Sequence, residues 1–129
     1  MSYYQGRDSR LISGGMKSAH RGKRKYELGG PFSAPMVASS DEMRKMRKRG
    51  GTHKVRVIKA GYLNAVDGTG KVVKTRILGV DKTPANVEYA RRGILTKGAL
   101  VKTELGQVKI TSRPGRDGVL NGILVDRKA

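Results

Sequence analysis

Apolar side chains are spread unevenly along this chain. Val, Ile, Leu and Phe occupy five positions in residues 1–51 (Leu11, Ile12, Leu28, Phe32 and Val37) and 23 positions in residues 52–129. Ordering a residue costs roughly 1–2 kcal/mol of backbone entropy, which burial must offset. The first stretch has too few apolar groups to do so. The pattern therefore predicts two parts: residues 1–51 as an extended arm ordered by a partner, and residues 52–129 as a domain that folds alone.

Within the second part, short runs rich in β-branched residues alternate with turn signals. Lys54 to Val66 reads as one long strand with a bend at Gly61, and Asp67-Gly68-Thr69-Gly70 as the turn into a second strand over 71–80, making a hairpin. Asp81 to Asn86 contains Pro84 and reads as a loop, and Val87 to Arg92 as a helical turn ended by Gly93. Ile94-Leu95, Leu100 to Leu105, Val108 to Thr111 and Val119 to Val125 complete a series of short strands. Five to six such strands in so short a segment predict an all-β fold, a small antiparallel β-barrel whose closure removes exposed edges.

The arm is punctuated by the glycine doublets Gly14-Gly15, Gly29-Gly30 and Gly50-Gly51 and by Pro31 and Pro35. Ser39-Ser40-Asp41-Glu42 has the spacing of a capping box, acidic residues precede basic ones, and Gly50 suits a left-handed C-terminal position. A short helix or turn is predicted near 40–49.

Charge sharpens this picture. The 129 residues carry 28 Lys plus Arg against 10 Asp plus Glu, a formal charge of +18, and both parts are basic. So large an excess opposes compaction and calls for a polyanionic partner. With no Cys and only His20 and His53, disulfides, thiol catalysis and Cys-based zinc sites are excluded, and no carboxylate cluster suggests another metal. The N-terminal sequence has no apolar leader core, and no run approaches the ~18 apolar residues of a membrane span. The expectation is a soluble, cytoplasmic protein with no membrane partner.

Catalysis finds no support. Gly68-Thr69-Gly70-Lys71 resembles part of a phosphate loop, but Val72 stands where Ser or Thr is needed and Ala65 where the first Gly is needed. Its plain reading is a hairpin turn. Asp41-Glu42 fits a helix start, and neither histidine has an orienting partner or a pocket indicated nearby. The chain is read as a non-enzyme, with no cofactor and no small-molecule substrate.

What remains is nucleic-acid binding. Arg21-Gly22-Lys23-Arg24-Lys25-Tyr26 combines cations for phosphates, an aromatic ring for stacking and a backbone free to follow a groove. In Ser112-Arg113-Pro114-Gly115-Arg116, Pro114 and Gly115 suit a type II turn that sets an Arg on either side of a rigid tip. The candidate RNA-binding residues are Arg7, Arg10, Lys17, His20, Arg21, Lys23, Arg24, Lys25 and Tyr26, then Arg44, Arg47, Lys48 and Arg49, and from the second part Lys54, Arg56, Lys74, Arg76, Arg113 and Arg116. The alternative is a DNA-binding architectural protein of the chromatin type, for which a wedge hairpin and a dimerisation helix are missing.

Four segments in order carry a resemblance: Lys23-Arg24-Lys25-Tyr26-Glu27-Leu28-Gly29, Arg49-Gly50-Gly51 leading into Lys54-Val55-Arg56, Lys74-Thr75-Arg76-Ile77, and Ser112-Arg113-Pro114-Gly115. Together they resemble the archaeal and eukaryotic type of small-subunit ribosomal protein eight, over about Gln5 to Val125. The resemblance implies a structural constituent of the small subunit that binds its ribosomal RNA through a basic arm and a β-barrel body, beside neighbouring small-subunit proteins. The chain lacks the large insertion that eukaryotic members carry ahead of the SRPG-type segment, which implies an archaeal member.

Overall fold

The structure, a computed structural model, describes residues 4–6, 8–48 and 50–127. It divides into two compact units, one ending at Phe32 and one beginning at Ser33. The division thus falls well before residue 51, where apolar content rises, because residues 36–47 join strands of the second unit.

In the first unit no described residue is buried. Its order is local and polar. Arg10 and Met16 pair across a tight turn in which the Leu11 N–H donates to the Gly15 carbonyl at 2.8 Å and Gly14 takes a φ of 85°. Tyr4 pairs with Leu28, and Lys25–Glu27 forms a single 3-10 turn.

The second unit is a three-stranded sheet beside a closed five-stranded barrel. The sheet has strands β1 (Met36–Val37), β2 (Glu42–Arg47) and β3 (His53–Ala60) in the order β1-β3-β2. The barrel follows as β4 (Tyr62–Val66), β5 (Val72–Lys82), β6 (Leu100–Thr103), β7 (Gly106–Ile110) and β8 (Asn121–Arg127). Four barrel pairs are antiparallel; the closing pair, β4 with β8, is parallel, with Asn64 opposite Asn121 and Val66 opposite Ile123. The all-β barrel read from the short strands is thus present.

Alternation fills its interior. Leu63 and Ala65 of β4, Thr75 and Ile77 of β5, Val101 and Thr103 of β6, Val108 and Ile110 of β7 and Leu120 beside β8 are all buried. Where the barrel narrows, Gly122 of β8 leaves room for Val108, since a Cβ there would lie 2.5 Å from Val108 Cγ1. The inward Thr103 hydroxyl donates to the Gly106 carbonyl at 2.8 Å. Val57 and Ala60 of β3 extend the same core, which joins sheet to barrel.

The strand expected over 54–66 is cut at Gly61, where the chain leaves the sheet for the barrel. A Cβ there would sit 2.8 Å from the Ser39 carbonyl oxygen, so only glycine fits. The Asp41 carboxylate accepts from the N–H groups of Gly61 and Tyr62 at 2.8 and 3.2 Å and holds the crossing. The Asp67–Gly70 segment is the hairpin turn expected, with Gly70 at φ 80°. Helix α1 (Val87–Arg91) is capped by Asn86, whose side chain accepts from Glu88 N–H, and ends before Gly93 at φ 65°.

Three expectations are corrected. The helix or turn near 40–49 is strand β2: Asp41 and Glu42 start no helix but serve the Gly61 crossing and a 2.8 Å ion pair with Lys59. The backbone of β3 needs a hydrogen-bonding neighbour on that side, and this requirement outweighs the local capping signal. The type II turn at Pro114-Gly115 is instead a one-turn helix, α2 (Pro114–Asp117), with Pro114 at its first position and Gly118 closing it at φ 77°. A proline at N1 satisfies a helix start as well as a turn. Ile94-Leu95 is no strand, since Ile94 makes one isolated bridge, to Met36, and Leu95 is tied by its N–H to the Pro35 carbonyl.

A candidate nucleic-acid interface

Strands β2 and β3 bring most of the second unit's candidate cations together. Between Asp41 and Ala60 the sequence has eight Lys or Arg and two acids. Antiparallel register sets Arg44 directly opposite Arg56, Met46 opposite Lys54 and Arg47 opposite His53. Directly opposed residues share a face of the sheet, so Arg44, Lys54 and Arg56 line one side while Val57 turns to the core. The turn between the strands holds Gly50 and Gly51 at φ 83°, with the Lys48 N–H donating to the Thr52 carbonyl at 2.7 Å.

Helix α2 packs on the Val55 face of β3, the face opposite Lys54 and Arg56, and brings Arg116 near enough for its charge to act on Lys54. Gly118, at its end, lies so close to β3 that a Cβ would be 3.0 Å from both the carbonyl oxygen and the Cβ of Val55. Asp117 is occupied in keeping the turn, its carboxylate accepting from the Arg113 N–H at 2.9 Å. The local charge is visible on Lys54, whose pKa is held below the usual lysine value by desolvation and then by the charges of Arg116, Lys48 and Arg56, against which Asp117 acts weakly. Arg116, Lys48 and Arg56 thus each disfavour the charged form of Lys54 in the free protein.

The remaining candidates of the second unit lie on the barrel's outer face. Lys74 Nζ sits 4.8 Å from the centroid of the Tyr62 ring, and Arg76 stands opposite Tyr62 in the β4–β5 register. Sequence reasoning did not single out Tyr62, which looked like one more strand residue. Its position directly after Gly61 was the available signal.

In the first unit Arg21 pairs with Glu27 and lies over Tyr26, 5.9 Å from the ring centroid, while Lys23 Nζ is 5.4 Å from that of Tyr4. Arg10 spends its guanidinium on the Gly14 carbonyl at 2.9 Å. Glu27 is held below the usual carboxylate range, chiefly by the Arg24 backbone N–H and also by Arg21. Lys17, His20, Arg24, Lys25 and Tyr26 are exposed. Arg7 and Arg49 lie outside the described residues. Among the described residues no three His, Cys, Asp or Glu side chains are grouped to hold a metal ion.

A small closed barrel, a sheet edged with cations and a basic segment in which no described residue is buried define a small, basic β-barrel class of protein. Comparison with known proteins makes this particular. The family profile of ribosomal protein S8e matches residues 4–125. The chain is 53% identical over 128 residues to the small ribosomal subunit protein eS8 of Staphylothermus marinus, covering 98% of this chain and all of that protein. It is 51% identical to the eS8 protein of Sulfolobus acidocaldarius over 97% of this chain and 98% of the relative. For that of Nanoarchaeum equitans the identity is 53%, over 97% and 99% of the two chains. The chain belongs to the ribosomal protein S8e family.

Proposed function

We infer that this protein is a structural constituent of the archaeal small ribosomal subunit, in the cytoplasm, and that it binds small-subunit ribosomal RNA with two sets of cations. One set is Arg7, Arg10, Lys17, His20, Arg21, Lys23, Arg24 and Lys25 with the stacking ring of Tyr26. The other is Arg44, Arg47, Lys54 and Arg56 on the sheet, Lys48 and Arg49 between β2 and β3 in the sequence, Arg113 and Arg116 at α2, and Lys74 and Arg76 on the barrel.

The observation that carries this reading is the convergence of Lys48, Arg56 and Arg116 on Lys54. Such a cluster is unfavourable alone and favourable against a phosphate backbone. The names of the relatives support the small subunit as the setting. The residues of the first unit, none of them buried, fit a segment that takes its working shape from RNA. Neighbouring small-subunit proteins find a contact surface in the exposed Val72, Ile123 and Val125, which sit outside the barrel.

The test is a competition between structured small-subunit ribosomal RNA and duplex DNA at moderate salt. RNA should win, and if about eight phosphates are contacted the log–log slope of affinity against salt should lie near −6 to −7. Equal or stronger binding to duplex DNA would favour an architectural DNA-binding protein instead.

A further inference from the structure

Between sheet and barrel lies a cleft of about 160 Å³, of whose lining the phosphate-binding reading uses only Lys74. Its floor is apolar, from the buried Val57, Ala60 and Leu120, with Met43 and Val119 beside them. Its wall is Tyr62, which is 40% exposed and carries the Lys74 ammonium against its ring. Asn64, also lining the cleft, donates from its side-chain amide to the Asn121 side-chain oxygen at 3.1 Å.

We propose that this cleft receives a single unstacked base of the bound RNA, laid against Tyr62 with its sugar–phosphate held by Lys74. The proposal rests on the ribosomal RNA reading and adds to it a base-binding subsite. Size agrees: an apolar cavity of roughly 150 Å³ accepts a benzene ring, the scale of one pyrimidine ring. Chemistry agrees as well. An aromatic wall stacks any base face, and Asn64, whose side-chain amide donates to Asn121, keeps its own amide oxygen to accept from a base edge.

The cleft is also built to stay open without a ligand. Asp41 Oδ1 accepts from Tyr62 N–H and fixes where the ring enters β4, which makes Asp41 a positioning residue. Glu42 pairs with Lys59, another lining residue, at 2.8 Å. A protein with only phosphates to meet has no need of an apolar floor bordered by a ring and an amide, with Asp41, Lys59 and Lys74 at its sides. RNA, whose sequence is read mostly from splayed-out bases, does.

The test uses the full-length chain and two fluorescently labelled probes of equal length and charge, a short oligouridylate and its abasic counterpart. The oligouridylate should bind about tenfold tighter, the size expected of one base–aromatic stack. With Tyr26 replaced by Leu throughout, so that the stacking ring of the first unit does not contribute, Tyr62→Leu should reduce it to the abasic affinity, Tyr62→Phe should keep the difference, and the abasic probe should not distinguish the three proteins. Equal binding of both probes, or a difference that survives Tyr62→Leu, would overturn the cleft assignment. If the variant still binds structured ribosomal RNA with a steep salt slope, the RNA reading stands without the cleft; if no probe and no ribosomal RNA binds, both fall. A photo-crosslinker at position 62 that reaches a protein and not RNA in assembled subunits would likewise refute it.

Discussion

Arg44 of β2 and Arg56 of β3 stand directly opposite one another in the antiparallel register. Like charges at such a position destabilise a sheet, and the Arg56 Nε is buried without a hydrogen-bond partner. Arg56→Met should therefore raise the melting temperature of the free protein in low salt. The gain expected is about 0.5–1 kcal/mol, or a few degrees for a domain of this size. In high salt the advantage should shrink, because the repulsion it removes is screened. The same change should weaken ribosomal RNA binding. A variant that lost stability in low salt would show that the pair is already compensated within the protein.

Lys54 extends the argument to pH. Its pKa is lowered by desolvation and by Arg116, Lys48 and Arg56, so the folded state gives up this proton at lower pH than the unfolded state does. Between those two values the unfolded chain binds the extra proton, and stability rises with pH there. Below the lowered pKa the lysine is charged in both states and its burden is fully present. Lys54→Met should be more stable than the parent near neutral pH, and the difference should narrow as pH climbs towards the ordinary lysine value. Urea titrations of both proteins at several pH values check this; a constant difference would contradict it.

Gly118 joins α2 to the sheet at a φ of 77°, with Val55 in the space a side chain would need. Gly118→Ala meets a left-handed backbone cost of about 1–2 kcal/mol and a clash in addition. Unfolding free energy should fall by about 2 kcal/mol or more, the backbone cost plus overpacking. Because Arg113 and Arg116 ride on α2, RNA affinity should fall beyond what the stability loss explains, measured well below the melting temperature.

The first unit supplies a proteolysis prediction. None of its described residues is buried, and its cations are exposed or paired only locally. Trypsin should cut the free protein quickly between Arg10 and Lys25 and leave a resistant fragment that begins at Tyr26, after the last basic residue ahead of the second unit. With ribosomal RNA bound, the same sites should be protected. Resistance in the free protein would mean that this segment has a stability of its own.

These elements also show where the sequence spoke clearly. Strands β4 to β8 were legible because one face of each is buried: Val108 and Ile110 alternate with Lys109, and a glycine or proline separates most neighbours. Strand β2 was not legible, because neither of its faces enters the core and its two methionines, three apart, mimic helical spacing. What makes it a strand is β3, and pairing is not written in local sequence. The site divides the same way. The expectation of a polyanionic partner followed from charge alone, whereas the meeting of Lys48, Arg56 and Arg116 at Lys54 depends on register and on the packing of α2. Tyr62 escaped notice because the switch from sheet to barrel at Gly61 is a tertiary event.

The seam of the barrel joins Asn64 to Asn121 in parallel, across nearly half the chain. Pairings between such distant segments form late, after the loop between them has been closed at an entropic cost. A chain made from its N-terminus presents residues 4–32 to its surroundings while β8 is still unmade. The segment that needs no partner strand is thus the first to be available, and in an assembling particle it is free to grip before the body behind it has closed.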